Sequence, residues 1–366
     1  MAEFRASWRP ISPSGPLSAS RIFGALCFAW RDLFGARALA DLLAGFREGE
    51  PAFILSEPFP FQGEADPVRF LAAPVLPAWD LSHSCPGSRM RAPAAEAALD
   101  LYRHRKSRRF DRVGHVSESV FRELASGRLA PSRFYEETAF LDGPGAEASS
   151  GPFVALAGFV LGKDECARLP ADRAGRPLPF EIAWERSRIS TEGGGTPFRV
   201  EGWTRPRGGV HFLVRAAAGT AERIEAALGL SGRLGIGAGR SVGWGRFDSV
   251  RVEPAAFPDG CREGAFWTTL SRTVLAPEEA TRLAESPRSS YRLVRYEGRL
   301  AEACPETGRT AKDPVWCLEA GSIADGPIAG TCPVVHRGAG REVIHYGLAC
   351  AVRVAPALAP AHGVAS

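Results

Sequence analysis

The residues best suited to chemistry lie in one glycine-rich stretch, residues 230–247, with the sequence LSGRLGIGAGRSVGWGRF. Glycine tolerates positive φ and lets main-chain N–H groups approach a ligand closely, so such a stretch can form a nest for anionic oxygens. Its glycines are Gly232, Gly235, Gly237, Gly239, Gly243 and Gly245. Positive charge at the rim would come from Arg233, Arg240 and Arg246. The stretch therefore indicates a site for phosphate groups.

Two familiar phosphate-binding motifs do not describe this stretch. A Walker A loop ends in Lys-Ser or Lys-Thr, which is absent here, and a Rossmann fingerprint follows a strand and opens a helix. Here the glycines follow a predicted helix at 220–228 and precede a predicted strand at 247–252. A merely flexible connection is the alternative interpretation of the same residues.

Composition limits the classes of function only loosely. The chain has 366 residues, with 45 Lys and Arg against 41 Asp and Glu, for a net charge of +4. This balance does not by itself indicate a nucleic-acid-binding protein. Nearly all the cations are arginines, which bind phosphates bidentately and stack on bases, although a GC-rich genome would produce the same bias. Local clusters must therefore carry the argument.

Metal and cofactor sites are not expected. The eight cysteines are scattered without a Cys-x-x-Cys pair, so we interpret them as reduced thiols. The closest approach to a ligand pair is His83 with Cys85. The apolar run at 22–30 is too short to cross a bilayer, and we expect a cytoplasmic protein without membrane contact.

A second basic cluster lies at 102–112, with the sequence YRHRKSRRFDR. Six of its eleven residues are arginine or lysine, and two are aromatic. One interpretation is a solvated helix face. The other is a mobile arm on RNA, because cations interleaved with aromatic rings can pair with phosphates and stack on bases.

The elements that position these residues predict an α+β fold. Strands are expected at 3–11, 53–55, 153–161, 210–214, 291–296, 315–319 and 343–354. A buried helix should begin near Ser18 or Ser20, and a second helix should cover 36–46. Residues 58–151 are predicted to be irregular, apart from helical stretches at 94–102 and 117–124. This alternation favours two ferredoxin-like (RRM-like) domains, 1–150 and 151–366, with irregular insertions and a glycine-rich loop.

Several segments carry a resemblance to a known family. They are SPSGPLSASRIFGALCFAW at 12–30, FILSEPFP at 53–60, RSRISTEGG at 186–194, GGVHFLVRA at 208–216, and IHYGLACAV at 344–352 after Glu319, Gly321 and Ser322. With the glycine stretch, they resemble the RAMP superfamily, the RRM-like proteins of class 1 CRISPR complexes. Within that superfamily they are similar to the family of the fourth Csm subunit of type III-A effector complexes.

The resemblance implies a non-catalytic subunit that binds the repeat-derived 5′ handle of the crRNA. Its implied partners are the crRNA, the large polymerase-like subunit and a RAMP backbone subunit. The helix start at Ser18, Ser20 and Arg21 would favour a phosphate. Candidate base contacts are Arg188, His211, Ser241 and Trp244, although Trp244 is equally interpreted as a core aromatic.

The chain departs from the family pattern at two places. Ala19, Ser20 and Arg21 stand where Ser-Asp-Thr is usual, and Glu57 stands where aspartate is common. The helix start keeps a capping hydroxyl but loses an acid.

Three alternatives remain open from the sequence. The first is a RAMP-family endoribonuclease that processes guide RNA, for which a histidine would act as general base. However, His115, His211, His336 and His345 are dispersed, and none lies in the glycine stretch. The second is the equivalent subunit of another type III complex. The third is a protein scaffold that contacts no RNA.

Overall fold

The computed structural model describes ten stretches of the chain: 1–76, 93–141, 151–171, 182–189, 197–205, 207–237, 239–261, 266–300, 311–338 and 341–359. For residues 93–100, 103, 182–189, 197–200 and 341 it describes the backbone alone. The structural statements below concern these residues.

Helices and strands alternate along the chain. The α-helices are α1 (Ala19–Glu48), α2 (Pro93–Phe110), α3 (Glu118–Ala125), α4 (Pro131–Glu137), α5 (Lys163–Ala167), α6 (Ala221–Leu234) and α7 (Pro277–Glu285). The strands of the first half are β1 (Ala2–Trp8), β2 (Phe53–Leu55), β3 (Phe59–Gln62), β4 (Val68–Ala72), β5 (His115–Ser117), β6 (Thr138–Phe140), β7 (Phe153–Leu156) and β8 (Phe159–Gly162). Those of the second half are β9 (Ile182–Ile189), β10 (Pro197–Thr204), β11 (Gly208–Ala216), β12 (Arg251–Pro254), β13 (Phe266–Thr269), β14 (Leu293–Tyr296), β15 (Val315–Leu318), β16 (Ile323–Asp325), β17 (Val334–Gly338), β18 (Arg341–Ile344) and β19 (Ala351–Val354).

One unit of the fold is ferredoxin-like. β1 lies between β12 and β11, and β11 pairs on its other edge with β2 and β3, all antiparallel. Helix α1 connects β1 to β2, and α6 connects β11 to β12. This is the β-α-β-β-α-β connectivity of ferredoxin-like domains, with a long segment inserted between its second and third strands.

Alternate side chains of these strands pack into one core on one face of the sheet. Phe4 and Trp8 on β1 and Phe212 on β11 pack into one core with Leu26 of α1 and Leu228 of α6. Side chains that alternate along a strand point to opposite faces, so this face of the sheet is covered by the two helices. The Trp8 ring lies 5.1 Å from the Phe212 ring and 5.3 Å from the Phe247 ring.

The inserted segment extends the same sheet. The strand order continues β3-β4-β5-β8-β7-β6, with parallel pairing of β5 to β8 and of β6 to β7. The irregular region expected at 58–151 is therefore wrong in part, because it contains β3 to β6 and α4, whereas the helical stretches expected at 94–102 and 117–124 are confirmed as α2 and α3. Strands from both sides of residue 150 share the large sheet, so the domain boundary expected there does not coincide with a break in it.

The C-terminal part forms a smaller sheet with the order β16-β13-β19. Its Phe266 and Val352 join a core with Phe121 and Leu124 of α3. The α+β class is confirmed, but the described residues do not establish a second complete ferredoxin-like unit. Short ribbons β14–β15 and β17–β18 accompany this sheet.

Helix α1 differs in detail from its prediction. Ser18 is its N-cap, as expected, and its Oγ accepts a hydrogen bond from the Arg21 N–H. The two predicted helices are joined across a kink at Gly35, where φ is 89°. The expectation of burial on every side is wrong, because Phe28 and Leu33 are 38% and 44% exposed. Among the described helices, none is both long and apolar enough to cross a membrane.

The two leucines of α1 provide a matched test of the core. Leu26 is fully buried and Leu33 is exposed on the same helix. We expect Leu26→Ala to lower the free energy of unfolding by about 2–5 kcal/mol, because it leaves a cavity between α1 and the sheet. Leu33→Ala should change it by about 0.5 kcal/mol. Equal effects in urea denaturation would contradict the packing described here.

Candidate nucleic-acid interface

The glycine loop, residues 235–247, is a closed structure and not a flexible connection. It begins where α6 ends at Leu234. The Ile236 N–H donates to the Gly245 carbonyl at 2.8 Å, and the Trp244 N–H donates to the Gly239 carbonyl at 3.1 Å. The Gly245 N–H donates in turn to the Pro13 carbonyl at 2.8 Å, which ties the loop to the chain entering α1.

Two of the glycines are required by close approach as well as by backbone angle. Gly245 has φ of 71°, and a Cβ there would lie 2.1 Å from the Ile236 carbonyl oxygen. Gly235 has φ of 87°, and a Cβ there would lie 2.8 Å from the Trp244 carbonyl oxygen. Positive φ also occurs at Gly237, Gly239 and Gly243. The predicted need for glycine therefore has a structural reason at each of these positions.

The tip of the loop presents donors without acceptors. Gly239 is left-handed, with φ of 82° and ψ of 9°, and a single 3-10 turn follows at Arg240–Val242. Within the described residues, the N–H groups of Gly239, Arg240 and Ser241 find no acceptor. Successive N–H groups in a left-handed and then right-handed pair of residues form a concave anion site.

Three exposed arginines lie in or next to this loop. Arg240 and Arg246 are in the loop and Arg233 is in the last turn of α6, and no carboxylate among the described residues pairs with any of them. Ser241 is also exposed. Exposed guanidinium groups of this kind can pair with an anion through charge-assisted hydrogen bonds.

Two of the residues expected to contact bases are buried. Trp244 is 8% exposed. Its ring packs so closely on Gly202 of β10 that a Cβ added to Gly202 would lie 2.6 Å from the ring. This favours the core-aromatic interpretation, in which Trp244 holds the loop against β10. His211 is fully buried on β11. Arg188 lies on β9, for which only the backbone is described.

The N-terminus of α1 is already occupied by a side chain. The Ala19 N–H donates to Glu57 Oε2 at 3.1 Å, and the Arg272 N–H donates to Glu57 Oε1 at 3.3 Å. The Ser20 hydroxyl lies 3.0 Å from Ser18 Oγ. Burial raises the pKa of Glu57, and nearby Arg272 opposes that shift. The carboxylate of Glu57 thus accepts from one N–H group of the helix terminus at which a phosphate was expected.

Sequence reasoning missed a cleft of about 750 Å³ beside this helix terminus. We call it the arginine cleft, and its chemistry comes from Arg205, Arg272, Arg292, His115, Phe159 and Trp203. These residues come from segments far apart in the chain, so no local motif could reveal them. Trp203 connects the cleft to the chain segment that holds the glycine loop. Its N–H donates to the Ser14 carbonyl at 2.7 Å, and Ser14 follows Pro13, which accepts from the Gly245 N–H of the loop.

Flat rings and guanidinium groups share the cleft wall. The His115 ring stacks on Phe159 with centroids 5.0 Å apart and 16° between the planes. Burial, with a contribution from Arg205, lowers the pKa of His115 to about 4. The imidazole is therefore neutral at pH 7. Neutral rings beside arginines suit a ligand that has both bases and phosphates.

Other histidines offer no metal or catalytic cluster in the described residues. Among them, no group of three or more His, Cys, Asp or Glu side chains could hold a metal ion. His336 and His345 are buried, and burial lowers the pKa of His345 to about 4. His83 and Cys85 lie outside the described residues.

Comparison with known proteins shows similarity in fold. No family model and no curated protein matches the sequence. A chain of the Csm3–Csm4 subcomplex of the type III-A CRISPR–Cas interference complex aligns with a TM-score of 0.61 at 12% identity, over 93% of this chain and 98% of that one. Chains of the Csm1–Csm4 cassette in complex with cA4 and with pppApA align with TM-scores of 0.54 and 0.53, both at 16% identity. They cover 96% and 97% of this chain and 98% of their own.

Csm4 is the component that these solved structures share. At such low identity, the similarity concerns the fold. The fold of this chain is therefore similar to that of a chain in these Csm4-containing structures.

Two glycines of the loop provide a matched test of its geometry. Gly243→Ala meets no neighbouring atom and should cost about 1–2 kcal/mol for its positive φ alone. Gly245→Ala has the same φ penalty and also collides with the Ile236 carbonyl, so it should destabilise the protein more. Urea denaturation of the two variants measures the difference. Equal stabilities would contradict the close approach at Gly245.

The buried side chain of His211 predicts that the folded protein loses stability as the pH falls. His211 Nε2–H donates to the Phe70 carbonyl at 2.8 Å, while burial and Arg5 lower its pKa from 6.5 to about 3. Glu118 and Arg69 also face His211. Glu118 raises the pKa of His211 and Arg69 lowers it. Because the folded pKa is the lower one, the unfolded chain binds the extra proton as pH falls below 6.5. Stability is therefore full above that pH and declines towards pH 3.

We expect a decline of up to about 1.4 kcal/mol per pH unit for each such histidine. His211→Gln keeps a side-chain N–H group for the Phe70 carbonyl but removes one titration, so its stability should depend less steeply on pH. Urea denaturation between pH 7 and pH 4 gives the two slopes. Identical slopes would show that His211 is not a buried neutral imidazole.

Proposed function

We propose that the protein is a non-catalytic subunit of a type III-A CRISPR RNA-guided complex and binds the repeat-derived 5′ handle of the crRNA. The observation that carries this proposal is the tip of the glycine loop. There, three successive N–H groups have no acceptor among the described residues, and the segment that carries them contains the exposed Arg240 and is flanked in sequence by the exposed Arg233 and Arg246. Such a surface suits a chain of phosphates more than a neutral ligand.

The Csm4-like fold supports the proposed partners. The aligned structures contain Csm4 together with Csm3 or with Csm1. By analogy, we propose that this chain contacts a RAMP backbone subunit and the large polymerase-like subunit of its own complex.

Burial of the histidines argues against an endoribonuclease. His211 and His345 are buried, so neither can reach a scissile phosphate on the surface. His115 lines the arginine cleft, but its pKa near 4 is far from the value of a good general base at neutral pH. We therefore propose a binding role.

The direct test identifies the RNA that the protein carries. The protein is tagged in its host and purified under gentle salt, and the 5′ ends of the RNA recovered with it are sequenced. A shared repeat-derived 5′ end followed by variable sequence is the expected result. Recovery of no RNA, or of RNA with random 5′ ends, would overturn the proposal.

The loop arginines can then be tested on purified protein. Replacing Arg240 and Arg246 together with alanine should lower the dependence of log affinity on log salt by about 1.4, because each phosphate contact on single-stranded RNA contributes about 0.7. Arg31→Ala with Arg47→Ala is the matched control, since both side chains are exposed and pair with carboxylates elsewhere. An equal change in both variants would point to total charge and not to the loop.

A further inference from the structure

Helix α2 carries an exposed row of cations that the glycine loop and the arginine cleft do not include. Arg105, Arg108 and Arg112 are exposed at or just after its C-terminal end, and we call them the α2 stripe. Arg105 and Arg108 are three residues apart and lie on one face of the helix, and Arg112 lies in the turn that follows it.

The opposite face of α2 fixes this row in place. Lys106 is buried, and its Nζ donates to the Glu136 carbonyl at 3.1 Å. The Phe110 ring lies 4.7 Å from the Tyr135 ring, edge to face. The Arg109 guanidinium lies 4.1 Å from the centre of the Phe140 ring. The mobile arm considered from the sequence is therefore wrong, because this segment is a packed helix.

The charge of the stripe is not balanced nearby. Within the described part of the chain, none of its arginines pairs with a carboxylate, and Asp111 is the single acid in residues 101–112. The neighbouring helices behave differently. There Arg122 pairs with Glu118 and Arg133 with Glu137, both at 2.8 Å. Unpaired arginines in a row form a site for a polyanion.

The stripe leads directly into the arginine cleft. Arg112 is followed by Val113, Gly114 and His115, which line the cleft. The Gly114 N–H donates to the Gly158 carbonyl at 3.0 Å, which holds this corner at the cleft wall. A chain that lies in the cleft can therefore continue past Arg112 onto α2.

We propose that the α2 stripe binds the phosphate backbone of single-stranded RNA that continues beyond the part held by the glycine loop and the cleft. This inference rests on the proposed function and extends it to a second contact region. RNA fits better than an acidic protein surface, because the adjoining cleft wall offers flat rings for bases beside its arginines. Arginine also matches phosphate bidentately.

The test compares two RNAs on the purified full-length protein. One is the repeat-derived handle alone, and the other carries about ten further nucleotides at its 3′ end, within the site sizes usual for single-strand binding. The variant replaces Arg105, Arg108 and Arg112 with alanine. We expect its affinity for the handle to be unchanged within about twofold, while the salt dependence for the longer RNA falls by about 2, from three contacts at 0.7 each.

Two further variants keep the result interpretable. Replacement of the same three arginines by lysine retains the charge and should retain most of the salt dependence. Replacement of Arg31, Arg47 and Arg337 by alanine removes equal charge from exposed side chains that pair with Asp32 or Glu342. Each changed side chain is exposed, so all variants should have the urea unfolding midpoint of the wild-type protein. Urea denaturation checks this for each variant.

The possible failures are distinguishable. If the wild-type protein prefers neither RNA over a scrambled sequence, the proposed function fails and this inference falls with it. If the wild-type protein binds the handle but the stripe variant binds the longer RNA with unchanged salt dependence, the inference alone is overturned. An equal loss in the control variant also overturns it. Intact RNA binding with loss of another subunit from the purified complex would identify a protein contact instead.

Discussion

The packing around Trp8 is the interaction on which the rest of the site depends. Its buried ring contacts Phe212 on the neighbouring strand and stacks on Phe247 at the far end of the glycine loop. A Cβ on Gly232 of α6 would lie 3.3 Å from its indole nitrogen. The Trp8 side chain therefore contacts helix α6 before the glycine loop, Phe247 at the end of the loop, and strand β11. Large buried aromatic surfaces supply much of the energy of such a core.

With both ends held, the glycine loop can keep donors and cations exposed. Its internal hydrogen bonds satisfy the groups that close the loop, while the N–H groups at the tip remain open among the described residues. Glu57 accepts from the Ala19 N–H at the nearby terminus of helix α1, so that N–H group already has a partner. Burial explains this difference between the N–H groups. A buried N–H group needs a hydrogen-bond partner within the protein, whereas an exposed N–H group remains available to a ligand.

Sequence patterns predicted some elements of the fold and missed others. The start of α1 at Ser18, the strand at Phe53–Leu55, helix α6 and strand β11 were all visible from capping residues and periodicity. Strands β3 to β6 were missed, since three to five residues carry too little periodicity among the surrounding prolines and glycines. Their pairing across the large sheet is a long-range property that no local window contains.

By itself, the sequence determined that a glycine loop with Arg240 and Arg246 follows a helix, because turn chemistry and charge are local properties. It also located the cations of α2. Only the tertiary structure decided that Trp244 and His211 are buried, that Glu57 occupies the α1 terminus, and that distant arginines meet in one cleft. These outcomes depend on which faces pack together, and burial is settled by contacts between segments far apart in the chain.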